Sequence, residues 1–405
     1  MDATLKSTKY LCHILLLSTG ERLPVLLYAD SYHPVALATR YIIDERRERM
    51  KMNTLLRDVR VLSWFYDWCD QRKIALEDLL RKGRMPTAAQ LKGFSRYLRA
   101  GRGKVLIGSF PVYAARQYSI LSPSALDSYL SVIESFLVWA AYEYIPITFP
   151  ETEVREQVEA VRVLIHRAIR SSSLGGRTAK PQYGLTQEEV EEIIRVVKPG
   201  SDKNPFRKSV QVRNRLIVEL MFATGIRRGE LLKIKLSDLP RGKKQTLTIA
   251  RAPDDPSDPR KNEPQVKTLG REMPLTKNLS RSLWDYADNH RKRGRHPFLF
   301  TSLRGGGAPL DLGAVNWIFI SLVEGPLPHL KGRLHPHATR HTFNNRLAEL
   351  ANILEWDFEK FQRAQKYLNG WSEYSVMPEI YTRRELERQA MELSEKYQER
   401  LYSVF

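Results

Sequence analysis

Apolar positions along the chain recur with two different periods, and each period predicts its own kind of element. Residues 10–29, YLCHILLLSTGERLPVLLYA, read as two short apolar strands around a Ser-Thr-Gly-Glu turn. Helical spacing follows. In NTLLRDVRVLSWFYDWCDQ, Leu55, Val59, Leu62, Phe65 and Cys69 fall at three- and four-residue steps and form one apolar helix face. TAAQLKGFSRYLRA repeats the pattern with Leu91, Phe94 and Leu98 behind a Thr87 cap. SALDSYLSVIESFLVWAAYEY does so with Leu126, Leu130, Ile133 and Leu137, and a further helix is predicted near Glu153–Arg170. The expectation is a strand pair in residues 1–30 and a small helical domain over 31–170.

SSSLGGRTAKPQ, residues 171–182, is rich in Ser, Gly and Pro and reads as a linker. A helix then starts sharply at LTQEEVEEII, where Thr186 and Glu189 match a capping box and Leu185 a hydrophobic staple. Beyond it the pattern mixes: a helix near 210–223, strands near 245–250 and 271–275, then helices to the end. No internal repeat is visible.

Composition narrows the function classes. The 405 residues carry 42% apolar side chains, as a globular protein does, and no apolar run long enough to span a bilayer. Two cysteines make no disulfide framework, and the N-terminus lacks the layout of a secretion signal, so a cytoplasmic protein is expected. The net charge is +19, and it is concentrated. Residues 201–300 hold 23 Lys and Arg against 11 Asp and Glu, residues 51–100 hold 11 against 5, and residues 351–405 hold 8 against 10. Two basic regions with a near-neutral tail suit a polyanion, with nucleic acid the leading candidate.

The chain has no G-x-x-x-x-G-K-[ST] loop, no C-x-x-C and no H-E-x-x-H. His337 and His341, at i and i+4, are the one pair with metal-ligand spacing, and no partner motif accompanies them. Three other stretches stand out. In MFATGIRRGELLKIKLSDL, Gly225 lets the chain turn and Arg227 opens a second helix. Glu230, one turn on, is placed to hold its guanidinium. In HPHATRHTFNNRLAELA, His337 and Arg340 share a helix face, Arg340 offers a fork of donors for phosphate, and Leu347 and Leu350 are expected to anchor the helix. PQVKTLGREMPL places Lys267 just before a strand. Near the end, SVMPEIYTRRE holds Tyr381, a phenol that becomes a nucleophile only beside cationic groups.

Taken in order, these pieces resemble the tyrosine recombinase (phage integrase) family over roughly residues 183–385. ATGIRRGEL is similar to its first arginine box, VKTLGREMPL to its lysine-bearing hairpin, HATRH to its His-x-x-Arg-His box, and YLNGWSEYSVMPEIYT to the box holding the nucleophile. Trp371 stands where most members have a second histidine, the step from it to Tyr381 is about one residue longer than usual, and Thr339 fills a position that is commonly leucine.

The resemblance implies a mainly α fold with a small antiparallel β component: an N-terminal helical core-binding domain plus a mixed α/β catalytic domain over 183–385. It also implies a chemistry. Tyr381 would attack a DNA phosphate and form a 3′-phosphotyrosyl bond. Arg227 and Arg340 would bind the non-bridging oxygens, and Lys267 would protonate the leaving 5′ oxygen. His337 would take the tyrosine proton or bond the phosphate, Trp371 would pack and donate its indole N–H, and Glu230 and His341 would support the others. No cofactor and no metal are implied. The implied partners are double-stranded DNA bearing a specific target site, further copies of the chain, dimer to tetramer, and accessory proteins. A type IB topoisomerase shares the chemistry, and a DNA-binding accessory protein without catalysis is the reading from another class. After Tyr381, Leu386, Ala390, Leu393, Tyr397 and Leu401 form a helical stripe in the tail 386–405, which the resemblance implies docks on a neighbouring copy.

Overall fold

In the computed structural model, residues 9–99, 121–144, 151–170, 184–242, 245–375, 377–378, 391 and 394 are described. The chain divides into two compact units, residues 1–179 and 180–405.

The first unit opens with β1 (Tyr10–Leu16) and β2 (Arg22–Tyr28), paired antiparallel from Tyr10 opposite Tyr28 to Leu16 opposite Arg22. The turn between them closes with Leu17 N–H donating to the Glu21 carbonyl, and Gly20 takes a φ of 89° that favours glycine. Among the described residues, α1 (Ala36–Arg40), α2 (Met52–Gln71), α3 (Leu76–Arg81), α4 (Ala88–Arg99), α5 (Pro123–Tyr144) and α6 (Glu151–Arg170) follow. All the apolar positions expected on α2, α4 and α5 are buried in one core. The strand pair does not stand apart from it. Leu23, Val25, Leu26 and Leu27 join the same core, and β2 packs on α2. Thr87 caps α4, with the Gln90 amide on its hydroxyl and the Gln90 side chain returning to the Thr87 N–H.

One buried charge shapes this unit. Asp58 on α2 is inaccessible to solvent and accepts paired bonds from Arg46, at 3.0 and 2.8 Å, and from Arg57. Arg46 closes a π-helical turn, Tyr41–Arg46, so this pairing ties the turn to α2.

The second unit begins at α7 (Gln187–Val197), capped by Thr186 and Glu189 in both directions. α8 (Lys208–Thr224) ends at Gly225, which adopts the left-handed conformation with φ 61°. A side chain at Gly225 would also strike the Phe343 ring, 2.3 Å from where its Cβ would stand. Then come α9 (Arg228–Lys233), the antiparallel pair β3 (Thr246–Ile249) and β4 (Arg271–Pro274), and α10 (Lys277–Asp285). α11 (Leu312–Glu324), α12 (Pro336–Ile353) and α13 (Phe358–Asn369) follow. α8 packs against α7 and α12, and Ile193, Leu216, Leu220, Met221, Leu231, Leu247, Met273 and Phe319 fill the core between them.

Leu350 departs from the sequence expectation. It is 49% exposed, and Leu347 is only partly buried. The two line an open apolar groove of about 600 Å³ together with Ile194, Phe222, Leu279 and Phe343. Helical period identifies the apolar face but not whether the chain itself covers it.

Candidate functional site

The site is built where α8, α9, α12, the end of α13 and the connection from β3 to β4 converge. Arg340, on the first turns of α12, is 1% exposed. Its guanidinium donates to the Gly225 carbonyl at 2.9 Å and to the Asn369 carbonyl at 3.0 Å. The Trp371 ring lies 5.3 Å from it, centroid to Cζ. The left-handed turn at Gly225 therefore serves a second purpose, since it presents a carbonyl that fixes Arg340.

Asn369 is held as firmly. Its side chain bonds Asn344 on α12 at 2.8 and 3.1 Å, Gln365 donates to the same Asn344 oxygen at 3.0 Å, and all three are inaccessible to solvent. This closed amide network clamps α13 to α12, and the carbonyl that orients Arg340 moves only if it breaks.

Arg227 is the N-cap of α9, with its guanidinium partly exposed. Glu230 supports it through the backbone, accepting the Arg227 amide N–H at 2.7 Å, while the guanidinium is 3.9 Å away. The carboxylate faces another cation. Arg271, first residue of β4, donates to it at 3.1 and 3.3 Å, and Thr268 adds its hydroxyl. Burial alone would raise the Glu230 carboxyl. Arg271, Thr268 and the Arg227 amide outweigh it and hold the group below the usual carboxylate range.

His337 and His341 pack edge to face, ring centroids 4.7 Å apart. Burial pushes the His337 ring down to about 4, and His341, Arg340, Arg227 and His335 push the same way. Part of the ring remains exposed. Arg340 follows His337 by one helical turn and bonds the carbonyl two residues before Arg227, so α12 meets the turn that carries Arg227, and the lowered His337 ring is neutral at pH 7. His341 is lowered by burial, then by His335 and Arg340. Among the described residues, no group of three His, Cys, Asp or Glu side chains is placed to hold a metal ion.

Lys267 is exposed, and the backbone on either side of it is pinned. Before it, the Gln265 carbonyl lies 2.5 Å from where a Cβ on Gly229 would stand, so only glycine fits beneath the loop. After it, Thr268 bonds Glu230, and Leu269 N–H donates to the Gly370 carbonyl at 2.9 Å. Trp371 follows Gly370 and is 8% exposed. Tyr381 lies outside the described residues, as does the stripe from Leu386 to Leu401.

Sequence reasoning missed Arg271, Thr268, Asn344 and Asn369. Arg271 stands in the quoted stretch VKTLGREMPL, but its partner is 41 positions away, and no local pattern links them.

The Phage integrase family matches residues 184–388, half of the chain, and the chain belongs to that family. The tyrosine recombinase XerC of Staphylococcus epidermidis is 26% identical over 174 residues, covering 41% of this chain and 48% of that protein. XerC of Staphylococcus saprophyticus is 22% identical over 264 residues, covering 57% of this chain and 80% of that protein. This chain thus spans about half the length of the Staphylococcus epidermidis relative. Among solved structures, the XerH site-specific recombinase bound to palindromic difH substrate, a post-cleavage complex, aligns with a TM-score of 0.51 at 15% identity. The alignment covers 88% of this chain and 84% of that one, a likeness of fold.

Proposed function

We propose that the protein is a site-specific DNA recombinase of the integrase or transposase type, and that it cuts and rejoins DNA through a 3′-phosphotyrosyl intermediate on Tyr381. The observation that carries this reading is the bond from Arg340 to the Gly225 carbonyl, which brings the α12 turn bearing His337 and Arg340 against the turn that ends in Arg227. Two guanidinium groups and a neutral imidazole around one spot suit a phosphate whose charge grows in the transition state.

The step balances without metal or nucleotide. The Tyr381 phenol oxygen bonds phosphorus as its proton passes to the neutral His337 ring. The bond from phosphorus to the 5′ oxygen breaks, and the Lys267 ammonium supplies the proton that makes it a hydroxyl. Arg227 and Arg340 stabilise the non-bridging oxygens, with Trp371 packed against Arg340. The phosphotyrosyl bond keeps the energy of the phosphodiester, so attack by a 5′ hydroxyl reverses the step.

The partners in this reading are a DNA duplex with a specific target site and further copies of the chain, from dimer to tetramer. A +19 chain with 23 Lys and Arg in residues 201–300 supplies the backbone contacts. The groove lined by Leu347 and Leu350 is the surface that the tail stripe of a neighbouring copy would cover.

The test is strand cleavage of duplexes drawn from the DNA flanking the coding sequence, in EDTA, by the wild type and Arg340→Ala. The proposal expects EDTA-resistant cleavage by the wild type and a loss of about 100-fold or more in the variant. Cleavage that needs an added metal, or that survives the substitution unchanged, contradicts it.

A further inference from the structure

The connection from β3 to β4, residues 250–270, is organised around charge rather than apolar side chains. Lys233, on α9, is 7% exposed, and its ammonium meets three carboxylates. Glu263 is in direct contact, and Asp255 and Asp258 each lie 3.6 Å away. Lys235 adds a 2.8 Å bond to Asp255. Glu263 is inaccessible to solvent, and its oxygens also accept the amide N–H groups of Asp254 and Asp255, each at 3.1 Å. Arg260 closes the cluster. It bonds Asp258 twice at 2.8 Å, donates to the carbonyls of Leu310 and Leu232 at 2.6 and 3.1 Å, and lies 4.6 Å from the Phe298 ring centroid. Three cations thus balance three anions.

We propose that this cluster, acting through Lys233 and Glu263, positions Lys267 as proton donor; the inference rests on Lys267 being the acid. Glu263 is four residues before Lys267, and Pro264 between them has a fixed φ. Gln265 abuts Gly229, and Val266 is buried. With Thr268 and Leu269 pinned beyond it, the backbone of Lys267 is held from both directions. Any shift of the connection would strand a buried charge, which is strongly unfavourable, so it has one arrangement. A long, exposed lysine donates efficiently only where its loop confines it near the leaving oxygen. Lys233 and Glu263 are buried, so they position and do not touch the reacting atoms.

The test compares full-length wild type, Glu263→Gln, Asp255→Asn and Lys267→Ala on nicked duplexes whose 5′ leaving atom is oxygen or sulfur. A thiolate leaves without a proton, so the sulfur substrate does not need the acid. Glu263→Gln is expected to slow single-turnover cleavage of the oxygen substrate about tenfold to 100-fold. It should leave the sulfur substrate within about twofold of wild type and DNA binding unchanged. Asp255→Asn should show the same asymmetry at smaller size, and it carries the test if thermal unfolding shows Glu263→Gln misfolded. Equal loss on both substrates, or loss on neither, overturns the proposal. Lys267→Ala left unrescued by sulfur overturns instead the assignment of the acid, whatever the cluster variants do.

Discussion

Glu230 bonds Arg271 at 3.1 and 3.3 Å and stands 3.9 Å from the Arg227 guanidinium one helical turn before it. The pair is almost wholly buried, 1% exposed on each side chain. Arg271 also donates to the Leu368 carbonyl at 2.7 Å, so one arginine joins α9, β4 and the end of α13. Replacing it removes the partner of a buried carboxylate. Arg271→Met should destabilise the protein by roughly 3–5 kcal/mol. Urea unfolding measures this. Glu230→Gln strands the buried Arg271 guanidinium in turn and should also be strongly destabilising.

Gly370 ends α13 in the left-handed conformation, with φ 61°. A Cβ there would stand 2.8 Å from both the Leu269 carbonyl oxygen and an Arg271 guanidinium nitrogen. Gly370→Ala should therefore destabilise by more than the roughly 1–2 kcal/mol of the backbone conformation alone. It should also reduce cleavage through the displaced Lys267 loop. Gly200→Ala is the control, since its φ is 81° but nothing lies within 4 Å of its Cβ. It should lose stability and keep full cleavage per folded molecule.

Among the histidines at the start of α12, His335 is lowered by burial, as are His337 and His341 with their cationic neighbours. Each is depressed below its unfolded value, and for His337 this means that between about 6.5 and about 4 the unfolded chain binds a proton that the folded one does not. This contribution to stability is complete above about 6.5 and is lost as pH falls toward 4. Urea midpoints should decline across that window, and His337→Gln should flatten the decline. NMR titration of the His337 ring should show no protonation at about pH 6 in the free protein.

The α2, α4 and α5 faces and the Thr186 capping box were legible because periodicity and capping are local rules. Arg227, His337 and Arg340 could be picked out because they sit in short motifs, the first at the start of α9 and the other two on α12. What was not legible is long-range. Glu230 with Arg271, Asn344 with Asn369, and Lys233 with Glu263 are partners 41, 25 and 30 positions apart. Each looks locally like ordinary surface polarity until the chain folds. Leu350 shows the converse, an apolar periodic residue that the chain leaves exposed.

DNA affinity should weaken steeply with salt. Each phosphate neutralised contributes a slope of about −0.9 in log K against log salt. Filter binding or anisotropy on a target duplex should give a slope of several units, and a slope near zero would remove the electrostatic argument.

The central claim is that Tyr381 is the nucleophile, and covalent trapping on a nicked duplex measures it most directly. The wild type should accumulate a protein–DNA adduct that survives denaturation, joined through the 3′ phosphate. Tyr381→Phe, which loses only the phenolic oxygen, should bind the same DNA equally well and form no adduct. An adduct of equal yield with Tyr381→Phe would contradict the account and move the nucleophile to another residue, with the exposed Tyr367 and Tyr374 the first to replace.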